Sequence, residues 1–496
     1  MRKKIAIIGG GIGGLSASIY LSSFDFQVDI YEQNNSLGGK ANQIAENGFR
    51  FDTGPSLVTM PFVIEEVFKV SKESINNYLE LKKLEILCNY FFDDHSKFTA
   101  YSDIDKLSHE FERFTQLNKR LLLDYLAYTK KIYNLTSEIF LFNSLFDWKK
   151  NLNFRTLYTL FNLPKIDPFR TMHEANWKFF KHVKFVQLLD RYATYNGSNP
   201  YKAPATLNII QHVEYNLGGF TINGGIYRLI KAFEQLSRKN GVKIYTGTKV
   251  EKILTTNKTI NGIQVKGEKI PYDIVLSNAD VLHTFELLND FSSKEYLKNL
   301  RLEPSSSAIV FYWGINKTTD LDFHNILFSK NYEKEFYDIF TLKMVPDDPT
   351  IYIHISSKVN KNDAPEGYEN WFVLVNTPPN YPKNLQIDIE KLKAKIIDKV
   401  KKLTGINLND SIVFEKILTP DLIEKNTSSK YGSIYGASSN SRYSAFLRQA
   451  NFSRTYKNLF FCGGSAHPGG GIPLVILSGK IASNLIKRKF NDRSKT

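Results

Sequence analysis

The chain opens on an arrangement that few folds can accommodate. The apolar run Ile5-Ala6-Ile7-Ile8 leads straight into Gly9-Gly10-Gly11-Ile12-Gly13-Gly14, and Leu15 to Leu21 follows with helical character. A second apolar run, Val28 to Tyr31, ends in Glu32. Gly9, Gly11 and Gly14 occupy the three positions of the dinucleotide fingerprint. The first allows a tight turn, the second lets backbone approach a pyrophosphate, and the third lets a helix sit close to a strand. N–H groups at the helix start then face the phosphates. Strand, glycines, helix, strand and terminal acid occur in the order that gives the motif its meaning. The contacting residues expected are Gly9, Gly11, Ile12, Gly13, Gly14, Glu32 and Gln33. A carboxylate at Glu32 suits ribose hydroxyls and repels a 2′-phosphate, which disfavours NADP.

Further pieces of the same lobe lie far along the chain. Asn223-Gly224-Gly225 precedes a helical stretch from Arg228 to Ser237, and strands are expected over Gly241 to Val250 and around Ile263 to Val265 and Asp273 to Leu276. Leu459 to Cys462 reads as a short buried strand. It enters Gly463-Gly464-Ser465-Ala466-His467-Pro468-Gly469-Gly470-Gly471-Ile472-Pro473, and a helix is expected from Leu474 to about Lys487. Glycines there allow backbone to pass close to a flat ring, and proline suits the first turn of the helix that follows. The start of that helix would present positive potential to the ring.

Net charge of +15 at pH 7 fits nucleic acid, an anionic membrane surface or simple solubility. No compact basic block or nucleic-acid motif accompanies it, so no nucleic-acid partner is expected. Two cysteines, Cys88 and Cys462, lack disulfide or metal-ligand spacing; no metal site and a reducing compartment follow. The N-terminal apolar run is a strand, too short for a secretory leader. With no apolar run of about 18 residues, a membrane could be met only at its surface. Aromatic residues make up 14% of the chain, 36 Phe and 27 Tyr, as suits either an ordinary core or a large apolar ligand.

Gly38-Gly39-Lys40 and Phe51-Asp52-Thr53-Gly54-Pro55-Ser56 resemble the second glycine pair and the flavin-side segment of the FAD amine-oxidase-like superfamily. Together with Gly463 to Pro473 and Ser277 to Asp280, they make nearly the whole chain similar to the bacterial carotenoid desaturases of the phytoene desaturase group. Arg191 to Tyr201 resembles the 1-hydroxycarotenoid 3,4-desaturases. The resemblance implies non-covalent FAD. Gly38, Gly39, Lys40, Gly54, Pro55, Ser56, Val250, Gly463, Gly464, Gly471, Ile472 and Pro473 join the cofactor contacts. Many relatives carry Arg at the position of Lys40; lysine supplies charge without the bidentate fork.

The implied fold is α/β. A discontinuous Rossmann-type FAD-binding domain (residues 1–75, 223–285 and 446–496) joins a mixed α+β substrate domain with a helical cap. Residues 76–222 give the cap and part of the substrate domain, and 286–445 its β-sheet. Helices are expected over Arg120 to Phe140 and Asn176 to Arg191, and strands over Ser307 to Trp313, Thr350 to Ile355 and Trp371 to Val375, flooring a substrate channel.

The implied activity is 3,4-desaturation of a 1-hydroxylated acyclic end group, with hydride passing to flavin N5 and electrons then to oxygen or a quinone. No general base is identified. Arg191, His212, Glu214 and His467 are the polar candidates, each read as structural ahead of catalytic, and Cys462 reads as a buried thiol rather than a covalent flavin link. Ile139 to Lys150, aromatic and then basic, reads either as an interfacial patch at the channel mouth or as a buried helix end. Peripheral attachment to the cytoplasmic side of a membrane is expected. Alternatives are a phytoene or diapophytoene desaturase, a carotenoid isomerase, a terminal oxygenase, an amine or porphyrinogen oxidase, and a non-catalytic carotenoid-binding flavoprotein.

Overall fold

The computed structural model describes residues 2–144, 163–382, 385–441 and 448–490. Leu145 to Lys150 of the aromatic-basic segment lie outside them, as do 446, 447 and 491–496 of the last stretch read as cofactor domain.

Strand β1 (Lys4–Ile8), helix α1 (Ile12–Ser23) and strand β2 (Gln27–Tyr31) form the first crossover unit. The sheet they start is five-stranded and wholly parallel, in the order Leu459–Phe461, Ile274–Ser277, β1, β2, Lys243–Tyr245. Its strands come from three stretches of chain separated by more than a hundred residues each. Parallel strands are buried on both faces, and β1 is accordingly apolar from Ile5 to Ile8 rather than alternating. Ile5 and Ile7 join the core beneath α1, Tyr227–Lys239 and Ile472–Phe490. Ala6 and Ile8 face the opposite way, onto the antiparallel sheet Val250–Thr256, Thr259–Val265, Glu268–Pro271. The first and last helices meet backbone to backbone: a Cβ on Gly479 would lie 2.6 Å from the Gly13 carbonyl.

The second large sheet has seven strands, in the order Ile412–Leu418, Ser307–Ile315, Glu369–Thr377, Ile351–Ile355, His324–Leu327, Ile86–Phe91, Lys97–Tyr101. All neighbours are antiparallel except His324–Leu327 with Ile86–Phe91. Two-residue alternation sorts its faces. Ile351, Ile353, Ile355, Val373 and Val375 pack under the helix Ile389–Thr404. Tyr352, Phe372, Leu374 and Asn376 point the other way, into a cavity.

Helix Lys119–Phe140, capped by Asn118, covers that cavity from above. The helix expected from Asn176 to Arg191 is instead two, Met172–Phe180 and Val183–Asp190. Lys181 turns left-handed at φ 46°, and the His182 ring caps the second helix by accepting the Phe185 N–H at 3.2 Å. The break lets Phe180 and Phe185 both meet Phe111, with ring centroids 5.6 and 4.8 Å away. A straight helix would present these residues, five apart, on different faces.

Candidate functional site

The glycine turn after β1 is held by its neighbours. Gly9 has φ +97° and donates its N–H to the Tyr31 carbonyl at 2.8 Å. A Cβ on Gly14 would stand 2.3 Å from the Gly9 carbonyl, so only glycine lets α1 start this close to β1. No side chain caps α1 at Gly11. The first-turn N–H groups of Ile12, Gly13 and Gly14 therefore keep their capacity for an anion. Gly38 donates its N–H to the Gly10 carbonyl at 3.0 Å and bridges Gly11, bringing the second glycine pair beside the first. Glu32, buried at the end of β2, accepts the Gly10 N–H on Oε2 at 2.8 Å and the Asn34 N–H on Oε1 at 2.9 Å. Val250 is buried against Ala6, Ile8 and Tyr31, next to this turn. Gln33 turns away: its Nε2 donates to the Asn426 carbonyl at 3.4 Å.

Lys40 reaches a stretch of chain nearly four hundred residues away. Its Nζ donates to the carbonyls of Ile434 at 2.5 Å and Ser433 at 3.2 Å. Burial, opposed by Asp280, draws the ammonium down to about 8. Gly54 packs so tightly that a Cβ would lie 2.2 Å from the Lys40 carbonyl, and Gly54, Pro55 and Ser56 line the cavity. The Ser56 and Tyr352 hydroxyls share a 2.5 Å hydrogen bond that joins this segment to the sheet floor.

The glycine loop after Leu459–Phe461 closes the other side. Gly463, at φ +91°, sits against Asn278 and Gly13. Gly471, at φ +106°, has nothing within 4 Å of where a Cβ would stand; Gly464 has only the Gly470 Cα at 3.6 Å. Gly471, Ile472 and Pro473 line the cavity, and Pro473 is the second residue of the last helix. Bare backbone at Gly39, Gly464 and Gly471, open N–H groups at α1 and the acid at Glu32 suit a flavin dinucleotide: phosphates at the helix, ribose at the acid, ring along the second loop. Cys462 is buried, its Sγ 3.6 Å from Asn278 Oδ1, and burial raises its thiol well above the usual range.

The four polar candidates separate. Arg191, Glu214 and His467 line the cavity; His212 does not. The Glu214 carboxylate accepts the hydroxyls of Tyr192 at 2.7 Å and Tyr195 at 2.5 Å, and pairs with Arg191 Nη2 at 3.2 Å. Arg191 also donates to the Tyr90 hydroxyl at 2.9 Å and lies over the Tyr192 ring, 4.2 Å from its centroid. Glu214 belongs to a π-helical turn, His212–Asn216, a wide coil of the kind often found at functional sites. His212 Nδ1 is bonded to Asn216 Nδ2 at 2.8 Å, and burial brings its imidazole down to about 4. His467 Nε2 donates to the Asn143 carbonyl at 2.9 Å, tying the glycine loop to the cavity's cover. Burial, with a smaller push from Arg448, lowers His467 to about 4, so it is neutral at pH 7 and positions the loop.

Two residues at this centre escape a reading of the sequence for site contacts. Asn278 ends the strand beside β1, donates to the Gly9 carbonyl at 3.2 Å and abuts Gly11, Gly13 and Gly463. Its signal was its place after an apolar strand. Arg448 carries no such signal; it is buried behind the second glycine loop and lines the cavity. The cavity is otherwise walled by Leu57, Ile210, Val213, Ile326, Phe140 and Leu141. Phe140 and Leu141 open the segment read as an interfacial patch. Among the described residues, no helix is long and apolar enough to cross a membrane.

A dinucleotide turn packed against a second glycine loop, itself lining an apolar cavity, defines a flavin-dependent oxidoreductase. The chain belongs to the flavin containing amine oxidoreductase family, whose model matches residues 12–487. It is 41% identical to a 1-hydroxycarotenoid 3,4-desaturase of Flavobacterium sp. (strain P99-3), over 98% of this chain and 99% of that one. It is 34% identical to a 4,4′-diaponeurosporene oxygenase of Staphylococcus aureus (strain bovine RF122 / ET3-1), over 99% and 100%. Its fold is like that of an oxidoreductase from Methanosarcina mazei, with a TM-score of 0.64 at 16% identity, over 96% and 99% of the two chains.

Proposed function

We propose that this chain is a carotenoid 3,4-desaturase with non-covalently held FAD, acting on a 1-hydroxylated acyclic end group. The observation that carries the reading is the meeting of the ring-facing loop Gly470 to Pro473 with an apolar cavity floored by Phe372 and Leu374. The 41% identity to a relative of that name over nearly full length supports the substrate class. Bound FAD supplies the hydride acceptor. The chain's own part is to orient and to exclude water. Phe372, Leu374 and Ile326 from the sheet face Ile210 and Val213 from the cover, a slot for an extended apolar chain beside the ring-facing loop. Positive charge left as hydride departs spreads along a polyene, which lowers the demand for a strong base. Arg191, Tyr195 and Glu214 give the slot one polar wall.

The substrate dissolves in lipid, so the enzyme works at the cytoplasmic surface of a membrane. The net charge of +15 and exposed Phe62, Phe169 and Val183 support that placement. Electrons leave the cofactor to oxygen or a quinone.

The test is co-expression with pathways that accumulate either a 1-hydroxylated acyclic-ended carotenoid or phytoene. Loss of two hydrogens and a red shift with the hydroxylated substrate alone are expected. Conversion of phytoene, or gain of oxygen at a terminal methyl as the name of the 34% identical relative suggests, would overturn the assignment.

A further inference from the structure

Two arginines are buried at the site and a lysine is half-buried there, and two of these three cations feel a carboxylate. Arg191 pairs with Glu214 at 3.2 Å, and Lys40 lies in the field of Asp280. Arg448, 3% exposed, has none within ion-pair distance among the described residues. Its donors go to backbone carbonyls: Nη1 to Tyr435 at 2.7 Å and Gly464 at 3.1 Å, Nη2 to Ala437 at 2.8 Å. Carbonyl dipoles hold a guanidinium in place without neutralising it, and a buried charge lacking a counter-charge is costly. Burial alone lowers Arg448 only to about 10, so it stays charged at pH 7.

Its location gives that cost a use. The Arg448 side chain runs beneath the ring-facing loop, with Nε 3.3 Å from where a Cβ on Gly469 would stand. Gly470 and Gly471 of this loop line the same cavity as Arg448. The loop enters the last helix, whose N-terminus adds positive potential of its own. A hydride brings two electrons and one proton, so its acceptor ring gains one negative charge unless a second proton follows.

We propose that Arg448 is the electrostatic counterpart of that charge: it stabilises the flavin after hydride arrives, raises the reduction potential and keeps the second proton off. This rests on a flavin bound along Gly463 to Pro473, not on the identity of the carotenoid.

The experiment measures flavin potential in the purified flavin-loaded enzyme, without carotenoid. Arg448→Met is expected to shift the reduction equilibrium at least tenfold toward the oxidised form, about 30 mV for two electrons. Arg448→Lys, retaining charge but not the three carbonyl bonds, recovers most of that shift. A residue that only clasps the loops would give the reverse pattern: both variants less heat-stable, potential unchanged. That result would overturn the proposal. Should Arg448→Met fail to retain flavin, the wild-type potential against pH decides. Addition of one proton per two electrons, a slope of about 30 mV per pH unit, is expected to extend at least one unit lower in pH than for free FAD measured alongside. An unchanged break point overturns the assignment.

Discussion

Glu32 Oε2 accepts the Gly10 N–H at 2.8 Å, so the acid that ends β2 also clamps the glycine turn after β1. One carboxylate thus shapes the glycine turn and, in the proposed FAD complex, would also face the ribose. Glu32→Ala is expected to weaken FAD binding ten- to a hundredfold, roughly the worth of one or two charge-assisted hydrogen bonds. Titrating apoenzyme with FAD by flavin fluorescence measures it; unchanged affinity would remove Glu32 from the site.

Two glycines should fail in different ways. Gly14→Ala places a methyl 2.3 Å from the Gly9 carbonyl and should destabilise the fold itself. Gly471→Ala meets no atom within 4 Å and has only the strain of φ +106° to bear, about 1–3 kcal/mol. That variant should remain folded by circular dichroism while losing flavin, because the methyl enters the space of the ring. Equal flavin content in folded Gly471→Ala and wild type would refute the placement of the loop.

Glu214 gathers Arg191, Tyr192 and Tyr195 on one buried carboxylate. Glu214→Ala strands a buried guanidinium and two hydroxyls, and a loss of about 3–5 kcal/mol is expected in chemical denaturation. Glu214→Gln, with an acceptor oxygen retained, should lose less. If the two variants lose equally little, the network is not holding the cavity wall.

Acid should loosen the site before it unfolds exposed regions. Burial sets His467 and His324 at about 4, below the unfolded value near 6.5. A folded value below the unfolded one gives stability that is complete above pH 6.5 and lost as pH falls toward 4. Each histidine accounts for on the order of 3 kcal/mol across that window. His467→Gln should flatten its share, seen as a smaller drop in denaturation midpoint between pH 7 and pH 5. A midpoint in the wild type that does not change over this interval would count against neutral buried imidazoles.

The cofactor turn was legible in the sequence because its requirements are local. Gly9 and Gly14 answer to backbone geometry within a few residues, and Glu32 to the end of the next strand. The sheet floor was legible from two-residue alternation, though the strands Ile86–Phe91 and Lys97–Tyr101 at its edge come from a region otherwise read as helical. The helix break at Lys181 was hidden because Phe111, the residue that demands it, is seventy positions away. Arg448 was hidden for a similar reason: its partners are carbonyls at Tyr435, Ala437 and Gly464, which any sequence supplies. His212 and Glu214, two apart, looked equivalent, and only the π turn decides which one faces the cavity.

Because the flavin sheet takes its outer strand from Leu459–Phe461 and a covering helix from Ile472–Phe490, the first crossover unit cannot complete its sheet until those distant residues have been made. During synthesis β1 and α1 emerge early and must wait, their apolar faces uncovered, through the tens of seconds in which the rest is translated. The glycine turn is then a cofactor site in name only. This predicts a nascent chain that depends on chaperones for most of its synthesis, and a protein that loses its cofactor lobe when translation stops ahead of Ile472–Phe490.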